Sequence, residues 1–243
     1  MPSATSTLNG NKDEAKNFLQ TFERELNAAL PRDRAIEAEI RSIITDAKTD
    51  TSKRHLRLPE AVLLNHYVLP VLYKELQVQV RLSADDAKRA LLNEYHRSTP
   101  DISQRSPIRA MRHPFRKVLG ASPASVYKEW RSGAKGALTQ SCPDFALQAP
   151  FPHSIVFEGK YYSSGSLAYA EKQLATNLYQ AFFYRGLPRL DATKKHPEWN
   201  YDYACLLAFD ASRDGTLKQA WRNLGQTMQE SFWSGANIYV LIV

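Results

Sequence analysis

Apolar side chains recur at helical spacing through the first part of the chain. Phe18, Leu19, Phe22, Leu26 and Leu30 fall on one face, Pro31 interrupts, and Ile36, Ile40, Ile43 and Ile44 resume the pattern, so residues 11–48 are expected to be helical with a break. The polar run TDTSKRHLRLP (49–59) reads as a loop. Residues 60–80 are apolar and expected to be helical, with Pro70 kinking or splitting them, because proline lacks an amide hydrogen and its ring crowds the preceding turn. Ser83, then Asp86 and AKRALLNEYHR, predict a capped helix over about 84–97. The first hundred residues therefore read as all-helical.

After residue 137 the pattern changes to mixed elements. FALQA is a short strand candidate, and HSIVFEGKYY (153–162) a stronger one, rich in β-branched and aromatic residues; Pro150 and Pro152 punctuate the turn between them. Ser163 to Ser166 reads as a loop and cap before an amphipathic helix over 166–187. YACLLAFD (203–210) predicts a buried strand, TLKQAWRNLGQTMQESF a helix, and ANIYVLIV (236–243) a last strand. The order strand, strand, helix, strand, helix, strand predicts an α/β (α+β) fold, a sheet covered by helices.

Composition narrows the class. The 243 residues are 43% hydrophobic and 23% charged, enough apolar material for a real core and unlike a disordered chain. No stretch approaches the roughly 20 apolar residues that span a bilayer. The segment MPSATSTLNGNKDEAK lacks a basic-then-apolar signal pattern, so a cytoplasmic location is expected. Cys142 and Cys205 are too few for a disulfide framework and lack metal-ligand spacing. The spacings of zinc deaminases are missing, as is a Walker-type Gly-rich loop, so no nucleotide cofactor is expected.

The formal net charge is +7, and it is concentrated. Residues 1–100 carry 15 basic and 14 acidic side chains, residues 137–243 carry 9 of each, and residues 101–136 carry 8 basic against 2 acidic. This middle segment suits a polyanion, since each phosphate neutralised releases condensed counterions and arginine forks pair with phosphate or guanine edges. Arg105, Arg109, Arg112, Arg116, Lys117 and Lys135 are the candidate DNA contacts, joined by Lys194 and Lys195 in the polar loop KKHPEWNYD. Trp199 and Tyr201 in that loop are candidates for base stacking. His153 is a candidate donor to phosphate, although a turn histidine without a function is the commoner case.

Three ionisable residues stand out in the mixed part: Asp144 after Pro143, then Glu158 and Lys160 in FEGK. Strand alternation puts Glu158 and Lys160 on one face, and a hairpin would bring Asp144 toward Glu158. Two carboxylates can hold Mg²⁺, which polarises a phosphodiester, and a lysine beside them offsets charge on the reacting phosphate. An isolated E-x-K more often decorates a strand; the Pro-Asp upstream and the succession of elements set this one apart.

Pro143-Asp144 followed by Glu158-Gly159-Lys160 resembles the signature of the PD-(D/E)XK nuclease superfamily, which includes most type II restriction endonucleases. The succession strand, strand, helix, strand is similar to that family's core, and the resemblance covers about residues 120–243. It implies a restriction-endonuclease-like mixed sheet flanked by helices, with Asp144 and Glu158 as metal ligands and Lys160 as the catalytic lysine. Many members add an acidic residue from a helix preceding the sheet; Glu129 is the nearest candidate and Glu94 a more distant one. Some carry a Gln-x-x-x-Tyr pair on the helix after the lysine strand, and Gln180 with Tyr184 fits that spacing, with Gln173 a further polar residue there.

The expected organisation is a helical region (1–100) for dimerisation or DNA contacts, a basic DNA-contacting segment (101–136), and a nuclease-like core (137–243). The expected activity is Mg²⁺-dependent cleavage of double-stranded DNA, of the type II restriction kind, by a homodimer whose twofold matches a palindromic site. Junction-resolving, repair and phage-defence nucleases would share the core, as would an RNA-directed one. The alternative from another class is a non-catalytic DNA-binding or assembly protein.

Overall fold

The computed structural model describes residues 4–31, 35–50, 56, 58–93, 144–186, 188–189, 198–199 and 201–243. Five helical segments come first: α1 (Ala4–Ala29), α2 (Ala35–Thr49), α3 (Pro59–Leu63), α4 (Leu69–Val78) and α5 (Ala84–Ala90). A π-helical turn, Leu64–Val68, joins α3 to α4. Its closing bond runs from the Leu69 N–H to the Leu64 carbonyl, one residue further than in an α-helix, immediately before Pro70. The wider turn lies just N-terminal to Pro70, whose ring and missing N–H do not suit a regular α-helical turn. The apolar run over 60–80 thus stays helical but changes winding at its proline.

The Ser83 cap forms as expected, its hydroxyl accepting from the Asp86 N–H at 3.1 Å. The helix it starts is shorter than the expected 84–97. Leu91 turns to an extended conformation (φ −98°, ψ 109°), and Leu91–Asn93 becomes β1, paired antiparallel with β2 (Phe145–Leu147). The first hundred residues are therefore not all helical: the open edge of β2 draws three residues away from their helical preference, because an unpaired sheet edge is itself a demand for partners.

β3 (Ile155–Tyr162) follows, then α6 (Leu167–Arg185), a short antiparallel pair β4 (Pro188–Arg189) and β5 (Glu198–Trp199), and β6 (Tyr203–Asp210). The single helix expected after β6 is two, α7 (Thr216–Asn223) and α8 (Gln226–Ser234). Gly225 separates them at φ +74°, a conformation that glycine adopts without a side-chain clash. β7 (Ile238–Ile242) closes the chain.

The main sheet is mixed, in the order β1-β2-β3-β6-β7; β1, β2 and β3 form an antiparallel meander, while β3-β6 and β6-β7 are parallel. Helices cover both faces. On one, Phe18, Phe22, Leu64 and Leu72 from the N-terminal helices pack on Phe145, Phe157, Cys205 and Leu207. On the other, Leu174, Leu178 and Ala181 of α6 and Leu217 of α7 pack on Val156, Ala204, Leu206 and Ala208. The N-terminal helices and the sheet thus share one core. Among the described residues no helix is long and apolar enough to cross a membrane.

β3 is central, as its apolar pattern implies. Gly159 stands between the two charged residues of the strand and faces the N-terminal helices, where a Cβ would meet Leu64 Cδ2 at 2.6 Å. Gly159→Ala is expected to cost about 1–3 kcal/mol through overpacking against the buried Leu64. Urea unfolding measures it; an unchanged midpoint would show that Leu64 turns aside freely.

Candidate active site

Asp144 immediately precedes β2, and two bonds tie it to β3. Its N–H donates to the Phe157 carbonyl at 3.1 Å, and its Oδ2 accepts from the Gly159 N–H at 2.7 Å. Phe145 pairs with Phe157 at the end of the ladder, and from there the Asp144 carboxylate reaches the N–H of Gly159, the residue between Glu158 and Lys160. Glu158 and Lys160 share the α6 side of β3, and Lys160 donates to Glu158 Oε1. On β6 the residue paired with Lys160 is Ala208, small enough to leave the lysine stem room.

Asp144 and Glu158 are each only 4% exposed. Burial, then the negative charges of Glu158 and Glu60, push the Asp144 carboxyl well above the usual carboxylate range; the Lys160 ammonium and the Gly159 N–H only partly offset them. Burial alone would lower Lys160, but the charges of Glu158, Glu60 and Asp144 outweigh it and hold the ammonium above its ordinary value. Lys160 is therefore a fixed positive charge with a 24% exposed side chain, not a proton acceptor at neutral pH.

Glu60 was not singled out from the sequence. It lies in the first turn of α3, and its field reaches both Asp144 and Lys160. The available signal was an acidic residue opening an apolar helix upstream of the sheet, but local patterning does not show which such helix meets the site. Glu129 and Glu94, the two residues considered for that role, lie outside the described residues.

The Gln180–Tyr184 pair sits on α6 as its spacing implies, with Gln180 Nε2 donating to the Tyr184 hydroxyl at 2.8 Å. Tyr184 is buried, and burial together with the Glu158 charge raises its phenol above the ordinary value. It serves both core and site: its ring packs in the α6 layer, and its hydroxyl lies within the field of Glu158, Lys160 and Asp144.

Two candidates fall away. His153 is buried, with Nε2 3.7 Å from Glu14 Oε2 and its ring edge-on to Phe151 and Tyr203, so it is packed under α1 rather than offered to a phosphate. Tyr201 is 1% exposed and packs in the α6 layer, leaving no face for a base. The proposed DNA contacts Arg105, Arg109, Arg112, Arg116, Lys117, Lys135, Lys194 and Lys195 all lie outside the described residues.

Among the described residues no three His, Cys, Asp or Glu side chains form a ready-made metal cage. The donor set still fits a hard divalent cation that takes one or two carboxylates and completes its shell with water and phosphate oxygens. Two buried carboxylates with a third nearby face one ammonium, and the resulting repulsion, expressed in the raised Asp144 carboxyl, is what such a cation relieves. No protein-family model, curated protein or solved structure matches the chain.

Proposed function

We propose that the protein is a Mg²⁺-dependent nuclease that hydrolyses DNA phosphodiester bonds. The observation that carries this reading is the meeting of Asp144, Glu158 and Lys160 at two paired strands, in a buried setting made more negative by Glu60. Asp144 and Glu158 would hold the metal. When bound, Mg²⁺ supplies Lewis acidity toward a phosphate oxygen and toward water.

The chain's own residues would do the rest. The Gly159 N–H fixes the Asp144 carboxylate, and the strand pleat sets Glu158 and Lys160 side by side. Lys160 keeps its proton and places its positive charge where negative charge builds on the phosphorus centre under attack, a site where fixed charge needs no reorganisation. The Tyr184 hydroxyl, also kept protonated, can donate but cannot accept a proton. The basic surplus of residues 101–136 supports DNA as the polyanion. A type II restriction activity, with two copies related by a twofold on duplex DNA, is the finer form of this reading.

Plasmid DNA incubated with the purified protein in Mg²⁺ or in EDTA tests it. Discrete fragments in Mg²⁺ alone are expected from a sequence-specific enzyme, and smearing from a nonspecific or structure-directed one. No cleavage of duplex, branched or single-stranded DNA, or of RNA, would overturn the reading in favour of a DNA-binding protein.

A further inference from the structure

Helix α6 meets α7 and α8 along an apolar groove of about 420 Å³. Leu174 and Leu178 of α6 are buried beneath it, while Tyr179, Phe182, Leu224 and Met228 line it and are each 40–53% exposed. No residue of α8 is buried. A helix of nine residues is marginal in water and draws its stability from packing, and α8 has only the half-buried Phe232 and Trp233 to supply it.

The surface restricts what can cover it. Apart from Glu171 and the Tyr179 hydroxyl its lining is apolar, so it lacks the converging polar groups that orient a small ligand. The four exposed side chains offer roughly 400 Å², about half of the ~800 Å² that each partner contributes to a stable interface, and the open side of α8 extends the patch. Its two ends carry opposite charge. Glu171 lines one end, accepting from Asn223 Nδ2 of α7 at 3.4 Å, and its neighbour Lys172 lies outside the groove. At the other end the Arg185 guanidinium sits 5.9 Å from the centre of the Phe182 ring. Among the described residues neither Glu171 nor Arg185 forms a salt bridge. Each lies seven residues, about two helical turns, from Leu178. A surface with opposite charges placed evenly about its middle is complementary to itself when turned through a half rotation.

We propose that this groove is the docking surface for a second copy of the chain, with the two α6 helices packed antiparallel about a twofold near Leu178. In that arrangement Glu171 of each copy meets Arg185 of the other. Phe182, four residues beyond the axis, comes over Leu174 and Ala175 of the other copy, where the small alanine leaves room for the ring. The proposal goes beyond the nuclease reading and stands without it.

The test is the mass in solution at micromolar concentration, by size exclusion with light scattering, of wild type, Phe182→Glu, Glu171→Arg, Arg185→Glu and an equimolar mixture of the two charge variants. Circular dichroism confirms that each is folded. Wild type is expected at twice the chain mass. Phe182→Glu should raise Kd at least tenfold or so by setting a charge in the centre of the contact. Each charge variant alone sets like charges together at both ends and should raise Kd about tenfold, whereas the mixture regains both pairs as a heterodimer and should recover wild-type affinity. A monomeric wild type would overturn the proposal and leave the groove to another kind of partner. A dimer indifferent to all three substitutions would overturn it by placing the contact elsewhere, and weakening that mixing does not reverse would overturn the antiparallel pairing. None of these results depends on cleavage, so a dimer that cuts no nucleic acid would overturn the nuclease reading alone.

Discussion

Lys160→Ala is expected to lower cleavage by about 10²–10³-fold, the scale for removing one preorganised charge from a developing anion. DNA binding should change little, since one ammonium among many basic groups carries a small share of the phosphate contacts. The size of the effect follows from the setting of the side chain. Glu158, Glu60 and Asp144 together hold Lys160 charged despite burial, so in the proposed chemistry it would offer the reacting phosphate a positive charge already in place. Fluorescence anisotropy with Ca²⁺ in place of Mg²⁺ measures binding, and plasmid conversion measures cleavage. Lys160→Met, which keeps the length of the stem, separates loss of charge from loss of packing. Cleavage retained in both variants would remove the central residue of the proposed chemistry.

Asp144→Asn is expected to abolish metal-dependent cleavage and, at the same time, to stabilise the metal-free protein at neutral pH. The folded-state pKa of Asp144 is raised above its unfolded value, chiefly by burial and then by Glu158 and Glu60. Such a group contributes stability that is fully present below the unfolded pKa and is lost as pH rises through the folded one. Metal-free wild type should therefore lose stability relative to Asp144→Asn as pH rises above the ordinary carboxylate range, and Mg²⁺ should restore wild type alone. A gain of about 3 °C in Tm for the variant in EDTA corresponds to roughly 1 kcal/mol in a chain of this size. The acid limb of cleavage should follow the same titration and move to lower pH as Mg²⁺ is raised. Thermal melts from pH 4 to 8 with Mg²⁺ or EDTA check the sign. A variant less stable than wild type throughout would show that the carboxylate is relieved inside the protein by groups other than a metal.

Features that depend on near neighbours in the chain were legible without the fold. Alternation placed Glu158 and Lys160 on one face of β3, and β-branched and aromatic runs located β3, β6 and β7. Ser83 and Ser166 cap α5 and α6 as their positions imply. The hairpin geometry that brings Asp144 toward Glu158 is a consequence of a short connection punctuated by prolines. These are one- to four-residue effects, set by side-chain direction and backbone donors that the sequence itself specifies.

Tertiary contact decided the rest, because it joins residues whose separation along the chain carries no local signal. Leu91–Asn93 follow a good helix cap, and only the open edge of β2 explains why they extend. Gly159 has the look of a spacer between two charged residues, yet its lack of a side chain admits Leu64 from another layer. Glu60 acts on Asp144 because α3 packs beneath the sheet, and His153 and Tyr201 lose any surface role to the same packing. The period of α6 defines two flanks in the sequence, but only the placement of α7 and α8 on one of them assigns the other to the acidic site. Local patterns specify which side chains share a face; burial of that face against a distant element specifies what those side chains meet.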